Sequence, residues 1–160
     1  MLLVATLLLG LSFPSTSKTS WMRPESFRLV IGMTRDDALT ALKGSGWRIS
    51  DGEDAHHVLV EYDGNKAVTM EFNGGRLRGL RFELFGLIPD IHAAFNEERA
   101  FLKEKLGEPK KGIRSRSIVL YDSTLPNVMM VASTDPKSEN GRKGIGLLVV
   151  RYFDPLAPKR

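Results

Sequence analysis

The chain has 160 residues, 42% hydrophobic and 26% charged, a balance that excludes a disordered chain and suits one domain or two small packed repeats. It contains no cysteine, which excludes disulfides, thiolate metal sites and cysteine nucleophiles within this sequence. The net charge of +4 lies in the second half: residues 20–87 carry nine basic and ten acidic side chains, residues 88–160 thirteen and nine. That excess is too small to point to nucleic acid.

The first residues, MLLVATLLLGLSF, give an apolar run from Leu2 to Phe13, followed by Pro14 and the small residues Ser15, Thr16 and Ser17. Such a run falls short of the roughly 20 residues needed to span a bilayer. It fits the apolar region of a secretory signal, with Ser15 and Ser17 flanking a cleavage point, although no Lys or Arg precedes it. The expectation is a signal peptide over residues 1–20 and a periplasmic or secreted mature chain. A buried N-terminal helix or strand is the alternative.

IGMTRDDALTAL (residues 31–42) reads as a helix opening. Thr34 is an N-cap whose hydroxyl can accept from the free N–H groups of the first turn, and Asp37 completes a variant capping box. Asp36 and Asp37 place negative charge at the positive end of the helix dipole. Ala38, Leu39 and Leu42 form the apolar stripe, and Gly44 stops the helix. Three runs of period two follow. In HVLVEYD, Val58, Val60 and Tyr62 share one face, against His57, Leu59 and Glu61. In AVTMEF, Val68, Met70 and Phe72 alternate with Thr69 and Glu71; in LRFEL, Leu80, Phe82 and Leu84 alternate with Arg81 and Glu83. One apolar face per strand predicts an antiparallel meander covered on one side, turning at Gly64-Asn65 and Asn73-Gly74. Trp47 to Ser50 offers a short strand before it.

The second half repeats the order. Asp90 after Pro89 is placed to cap a helix through Leu106, with Ile91, Phe95, Leu102 and Leu106 on one face and Gly107 and Pro109 closing it. Three strand-like runs follow: SIVLYD, NVMMVAS and GIGLLVVRYF. The last is apolar on both faces from Leu147 to Val150, which suits a central strand. The predicted fold is α+β: two helix-plus-three-stranded antiparallel meander repeats, residues 21–88 and 89–160, with both helices on one face. One continuous six-stranded sheet is the first expectation and two separate sheets the second.

At Gly32, Met33 and Thr34 the sequence resembles the small outer-membrane proteins of the SmpA/OmlA (BamE) type, whose helix opens on Gly-Met-Ser/Thr. Leu106, Gly107, Glu108 and Pro109 match the Leu-Gly-x-Pro ending of that helix, here in the other half of the chain. The tandem plan is similar to the β-lactamase-inhibitor-protein fold. The resemblance implies a helper or binding protein that works through its surface, and it brings no catalytic residues. The lipobox cysteine of the outer-membrane members has no counterpart in this sequence.

Candidate chemistry is thin. DGEDAHH gathers metal-type ligands at Asp51, Glu53, Asp54, His56 and His57, but adjacent residues of a strand point to opposite faces, so the two imidazoles do not converge on one ion. A solvated turn is the plainer reading. Ser45 lies in GSG without a strand–elbow–helix context. The carboxylate pairs Asp36–Asp37 and Glu97–Glu98 read as helix-dipole partners. Glu61, Glu71, Arg81 and Glu83 share the polar sheet face and are the candidate partner-binding residues. GRKGIG, from Gly141 to Gly146, leads into a strand and reads as a hairpin loop rather than a phosphate cradle. Lys110, Lys111, Arg114 and Arg116 form a basic run: either solvated surface or a contact with an anionic partner such as lipid headgroups.

The sequence therefore points to a non-enzymatic exported protein, with no cofactor and no bound metal. It would bind a protein partner or an anionic envelope component through its open sheet face and connecting loops. A cytosolic inhibitor or immunity-type protein of similar fold comes second, and a small metal-dependent hydrolase around His56 and His57 third.

Overall fold

A computed structural model describes residues 17–51, 56–62, 64–109, 118–121, 127–133 and 144–154. Its frame is one antiparallel seven-stranded sheet. The strands are β1 (Arg48–Asp51), β2 (His57–Tyr62), β3 (Lys66–Asn73), β4 (Arg76–Leu87), β5 (Ile118–Tyr121), β6 (Asn127–Ser133) and β7 (Ile145–Phe153). Their spatial order is β1-β2-β3-β4-β7-β6-β5. Six of these are the expected meander strands, and β1 adds the short edge strand suggested by Trp47 to Ser50. The last strands of the two meanders pair with each other over nine residues, from Gly79↔Phe153 to Leu87↔Ile145. That pairing makes the sheet continuous and puts β7 in the interior, as its two-sided apolar run requires.

Local chemistry explains the turns. β3 and β4 are joined at Gly74 and Gly75, with φ of 58° and 71°, and Asn73 pairs with Arg76. Two consecutive positive φ values are what a two-residue hairpin of the right twist needs, and glycine supplies both without strain. The turn sits one residue later than Asn73-Gly74. The register shifts between Glu71 and Phe72. This bulge lets Leu77 and Leu80, three apart, both face the core.

α1 (Arg35–Leu42) starts as its sequence predicts: the Thr34 hydroxyl accepts from the Asp37 N–H at 3.2 Å. The Gly32-Met33-Thr34 approach is also tied to the sheet. Gly32 N–H donates to Leu77 O (2.7 Å), Leu77 N–H donates to Met33 O (2.9 Å), and Arg76 donates to Gly32 O (2.9 Å). Eight residues make a marginal helix alone, so the cap and this tether hold it in place.

α2 (Ile88–Leu106) is longer than a short capped helix and begins two residues before the expected Asp90 cap. Leu87 is the N-cap, Pro89 lies in the first turn where its missing N–H costs nothing, and Asp90 follows it. Ile91, Ala94, Phe95 and Leu102 are buried on the sheet. The start of α2 comes close because Gly86 and Gly146, partners across β4 and β7, leave room: a methyl at Gly146 would lie 3.3 Å from Ile91 and 3.1 Å from Ser133 O.

Residues 17–30 form a strap of two 3-10 turns, Ser20–Met22 and Pro24–Phe27, that completes the core over the first meander. Trp21, Phe27, Trp47, Phe82 and Tyr152 pack as a chain of rings with centroids 5.0–6.2 Å apart. The buried side chains of strap, α1, α2 and the inner sheet face belong to one core.

Candidate functional site

Burial alternates along β3, β6 and β7, so every second side chain stays partly exposed on the face away from the core. Register places Glu61, Glu71, Arg81 and Glu83 together on this face, as the alternation predicts. One cross-sheet row runs Arg48, Glu61, Ala67, Glu83, Val149, Val131; the next runs Ser50, Leu59, Thr69, Arg81, Arg151, Met129.

Every one of the four candidates is engaged within the sheet. Glu61 pairs with Arg48 at 2.5 Å, Glu83 with Arg81 at 2.6 Å, and Glu71 with Arg151 at 2.7 Å. The Glu71 side chain reaches Arg151 by lying over Gly79, where a methyl group would come within 2.8 Å of its carboxylate. Arg151 also stands 5.5 Å from the Phe153 ring. The face is thus a strip of internally neutralised charge, flanked by Leu59, Ala67, Met129, Val131, Leu147 and Val149. Such a surface can be covered by a partner without leaving a charge unpaired.

The strap presents a second polar cluster that sequence reasoning missed. Glu98 is completely buried and pairs with Arg23 at 3.1 Å, and its other oxygen has no hydrogen-bond partner among the described residues. Burial raises its pKa above the ordinary carboxylate value, against the lowering effect of Arg23. Burial also raises the Tyr152 phenol, with the Glu98 charge adding to it. Arg23 lies over the Phe101 ring, 3.4 Å from its centroid. Beside it Glu97 accepts from the hydroxyls of Ser17 and Thr19. Partial burial raises the Glu97 pKa, but these hydrogen bonds outweigh that and hold it below its ordinary value. Both glutamates sit in the middle of α2, not at its N-terminal end, so their reading as dipole partners is corrected. A signal was present: Glu98 falls seven residues after Ile91, on the apolar stripe.

The metal candidates are less well placed. His56 is exposed in the turn before β2 and His57 lies on the strand. Asp51 ends β1, and Glu53 and Asp54 lie outside the described residues. Among the described residues no three His, Asp or Glu side chains gather as a metal site. The basic run Lys110, Lys111, Arg114 and Arg116 lies outside the described residues. Among the described residues no helix is long and apolar enough to cross a membrane.

Comparison with known proteins finds no matching family, no matching curated protein and no matching solved structure.

Proposed function

We propose that this chain is a non-enzymatic exported protein that binds a protein partner, or an anionic component of the cell envelope, through the open face of its sheet and its connecting loops. The observation that carries this reading is the open face itself, where Glu61, Glu71, Arg81 and Glu83 are each neutralised within the sheet and flanked by apolar side chains. Burying a charge without its partner is strongly destabilising, and a pre-paired strip avoids that when a partner covers it. The apolar run from Leu2 to Phe13 supports export. The resemblance of Gly32-Met33-Thr34 to the SmpA/OmlA (BamE) type supports surface binding over chemistry.

The same reading takes residues 21–88 and 89–160 as two degenerate repeats, as in the β-lactamase-inhibitor-protein fold. In its support, β2-β3-β4 and β5-β6-β7 mirror each other about the β4–β7 pair, with β1 an extra edge strand, and each meander follows a helix. The functional test is capture from envelope extract with a crosslinker, using wild-type protein and an Arg81→Glu, Glu71→Lys variant. A partner retained by the wild type and lost by the folded variant is the expected result. Equal capture by both, or none by either, counts against the face.

A further inference from the structure

We propose that Lys18 is the N-terminus of the mature chain, and that the α-ammonium group created there docks on Glu97 of α2, closing the strap onto the core. Two independent observations converge on the Ser17–Lys18 bond. The first lies in the sequence: Ser15 and Ser17 fit the small-residue positions three and one before a cut after Ser17, which places the end of the signal three residues short of the expected residue 20. The second lies in the geometry. The backbone nitrogen of Lys18, the atom that such a cleavage turns into the α-amino group, already sits 3.4 Å from Glu97 Oε2.

The surroundings suit a terminus. Ser17 and Lys18 are exposed, whereas Thr19, the next residue, is completely buried and donates its hydroxyl to Glu97 at 3.0 Å. Met22 is completely buried as well, and Arg23 is held by Glu98 at 3.1 Å. Departure of Ser17 costs Ser20 the bonds from its N–H to Ser17 Oγ (3.0 Å) and from its hydroxyl to Ser17 O (3.4 Å), while Thr19, Met22 and Arg23 keep anchors of their own. The charged groups around the new terminus are Asp90, Glu97 and Glu98 on α2, and Lys18 Nζ and Arg23 on the strap. The Lys18 side chain is already paired with Asp90 at 3.4 Å. The two cations of an N-terminal lysine would thus each meet a carboxylate of α2.

The chemistry is peptide hydrolysis by an endopeptidase of the signal-processing class. Water adds across the Ser17–Lys18 amide, Ser17 leaves with a carboxylate, and Lys18 keeps the nitrogen, which protonates to an ammonium. Departure of Ser17 also removes its hydroxyl from Glu97. Oε1 keeps its bonds from Thr19 while the ammonium faces Oε2, so the carboxylate exchanges a neutral donor for a charged one, which makes the stronger hydrogen bond. Before cleavage the same nitrogen is an amide with a single proton and no charge. Processing therefore tightens the strap rather than merely shortening the chain.

The inference rests on the exported reading, and the experiment separates the two. The full-length chain is expressed with export, fractionated, and the recovered protein is analysed by intact mass and N-terminal sequencing. A chain beginning at Lys18 is expected; any other mature terminus overturns the proposal, and unprocessed chain in the cytosol overturns the exported reading along with it. In parallel, protein released at Lys18 from a fusion by a protease that leaves no extra residue is titrated by NMR. Its α-amino group is expected to titrate above the ordinary value of about 7.7–8.0. The Glu97→Gln variant should return it to that value. Acetylation of the wild-type α-amino group should lower the melting temperature, and should do so far less in Glu97→Gln. An α-amino group that titrates normally in the wild type overturns the docking even where export holds.

Discussion

Glu71 of β3 and Arg151 of β7 meet at 2.7 Å across an intervening strand, because Gly79 of β4 has no side chain to keep them apart. The pair links the two meanders on the face opposite the core, and it depends on a vacancy as much as on its charges. Gly79→Ala should push the Glu71 carboxylate aside, since the added methyl meets the far end of a flexible side chain rather than backbone. A half-exposed ion pair is worth about 0–1 kcal/mol, so the variant should fold with stability within about 1 kcal/mol of wild type. Denaturant unfolding checks the stability. Partner capture should nevertheless fall, because Arg151 then presents an unpaired charge to the interface.

Glu98 should give the strap an inverted pH dependence. Its folded pKa is raised above 4.5, mainly by burial, so folding favours the protonated form. The contribution is fully present below the unfolded value and is lost as pH rises through the folded value. Glu98→Gln lacks this titration and keeps an oxygen for Arg23. The wild type should therefore lose melting temperature relative to Glu98→Gln as pH rises from 4.5. Glu97 and Glu25, whose values are lowered, act in the opposite direction in both proteins and cancel in the comparison. Parallel melting curves across this range would refute the assignment.

The close approach of α2 to the sheet rests on Gly146. Gly146→Ala places a methyl against the Ser133 carbonyl and Ile91, and neither can move freely. Overpacking of this kind costs about 1–3 kcal/mol, to be read by denaturant unfolding. Ile91→Ala in the same background should relieve part of the cost, so the two changes should combine non-additively.

Thr34→Ala removes the cap of α1 and should destabilise the chain by about 1 kcal/mol. Amide exchange should show the loss concentrated in Asp37 and Ala38, while α2 keeps its protection.

The parts of this fold that could be read from the sequence are those whose partners lie close in the chain. The Thr34 cap needs only Asp37, three residues on. The faces of β2, β3 and β4 follow from alternation alone, and so does the grouping of Glu61, Glu71, Arg81 and Glu83. The partners of those residues are another matter. Arg151 lies 80 residues beyond Glu71, and no local pattern announces that Gly79 is the gap between them. Glu98 shows the same limit from the other side. Its spacing from Ile91 put it on the buried stripe, but a charged residue reads as surface until Arg23, 75 residues away, is known to meet it. The place of β1 at the edge and the joining of β4 to β7 likewise depend on contacts between distant segments.

Site-specific photo-crosslinking in cells shows whether the open sheet face binds a partner. A photoreactive residue is placed at Thr69 or Val131 on the open face, and at Ala93 on the exposed side of α2 as the control. A discrete adduct is expected from Thr69 and Val131, abolished by Arg81→Glu, with none from Ala93. Folded, exported protein that gives no adduct from either open-face position, or the same adducts from Ala93, would contradict binding through this face.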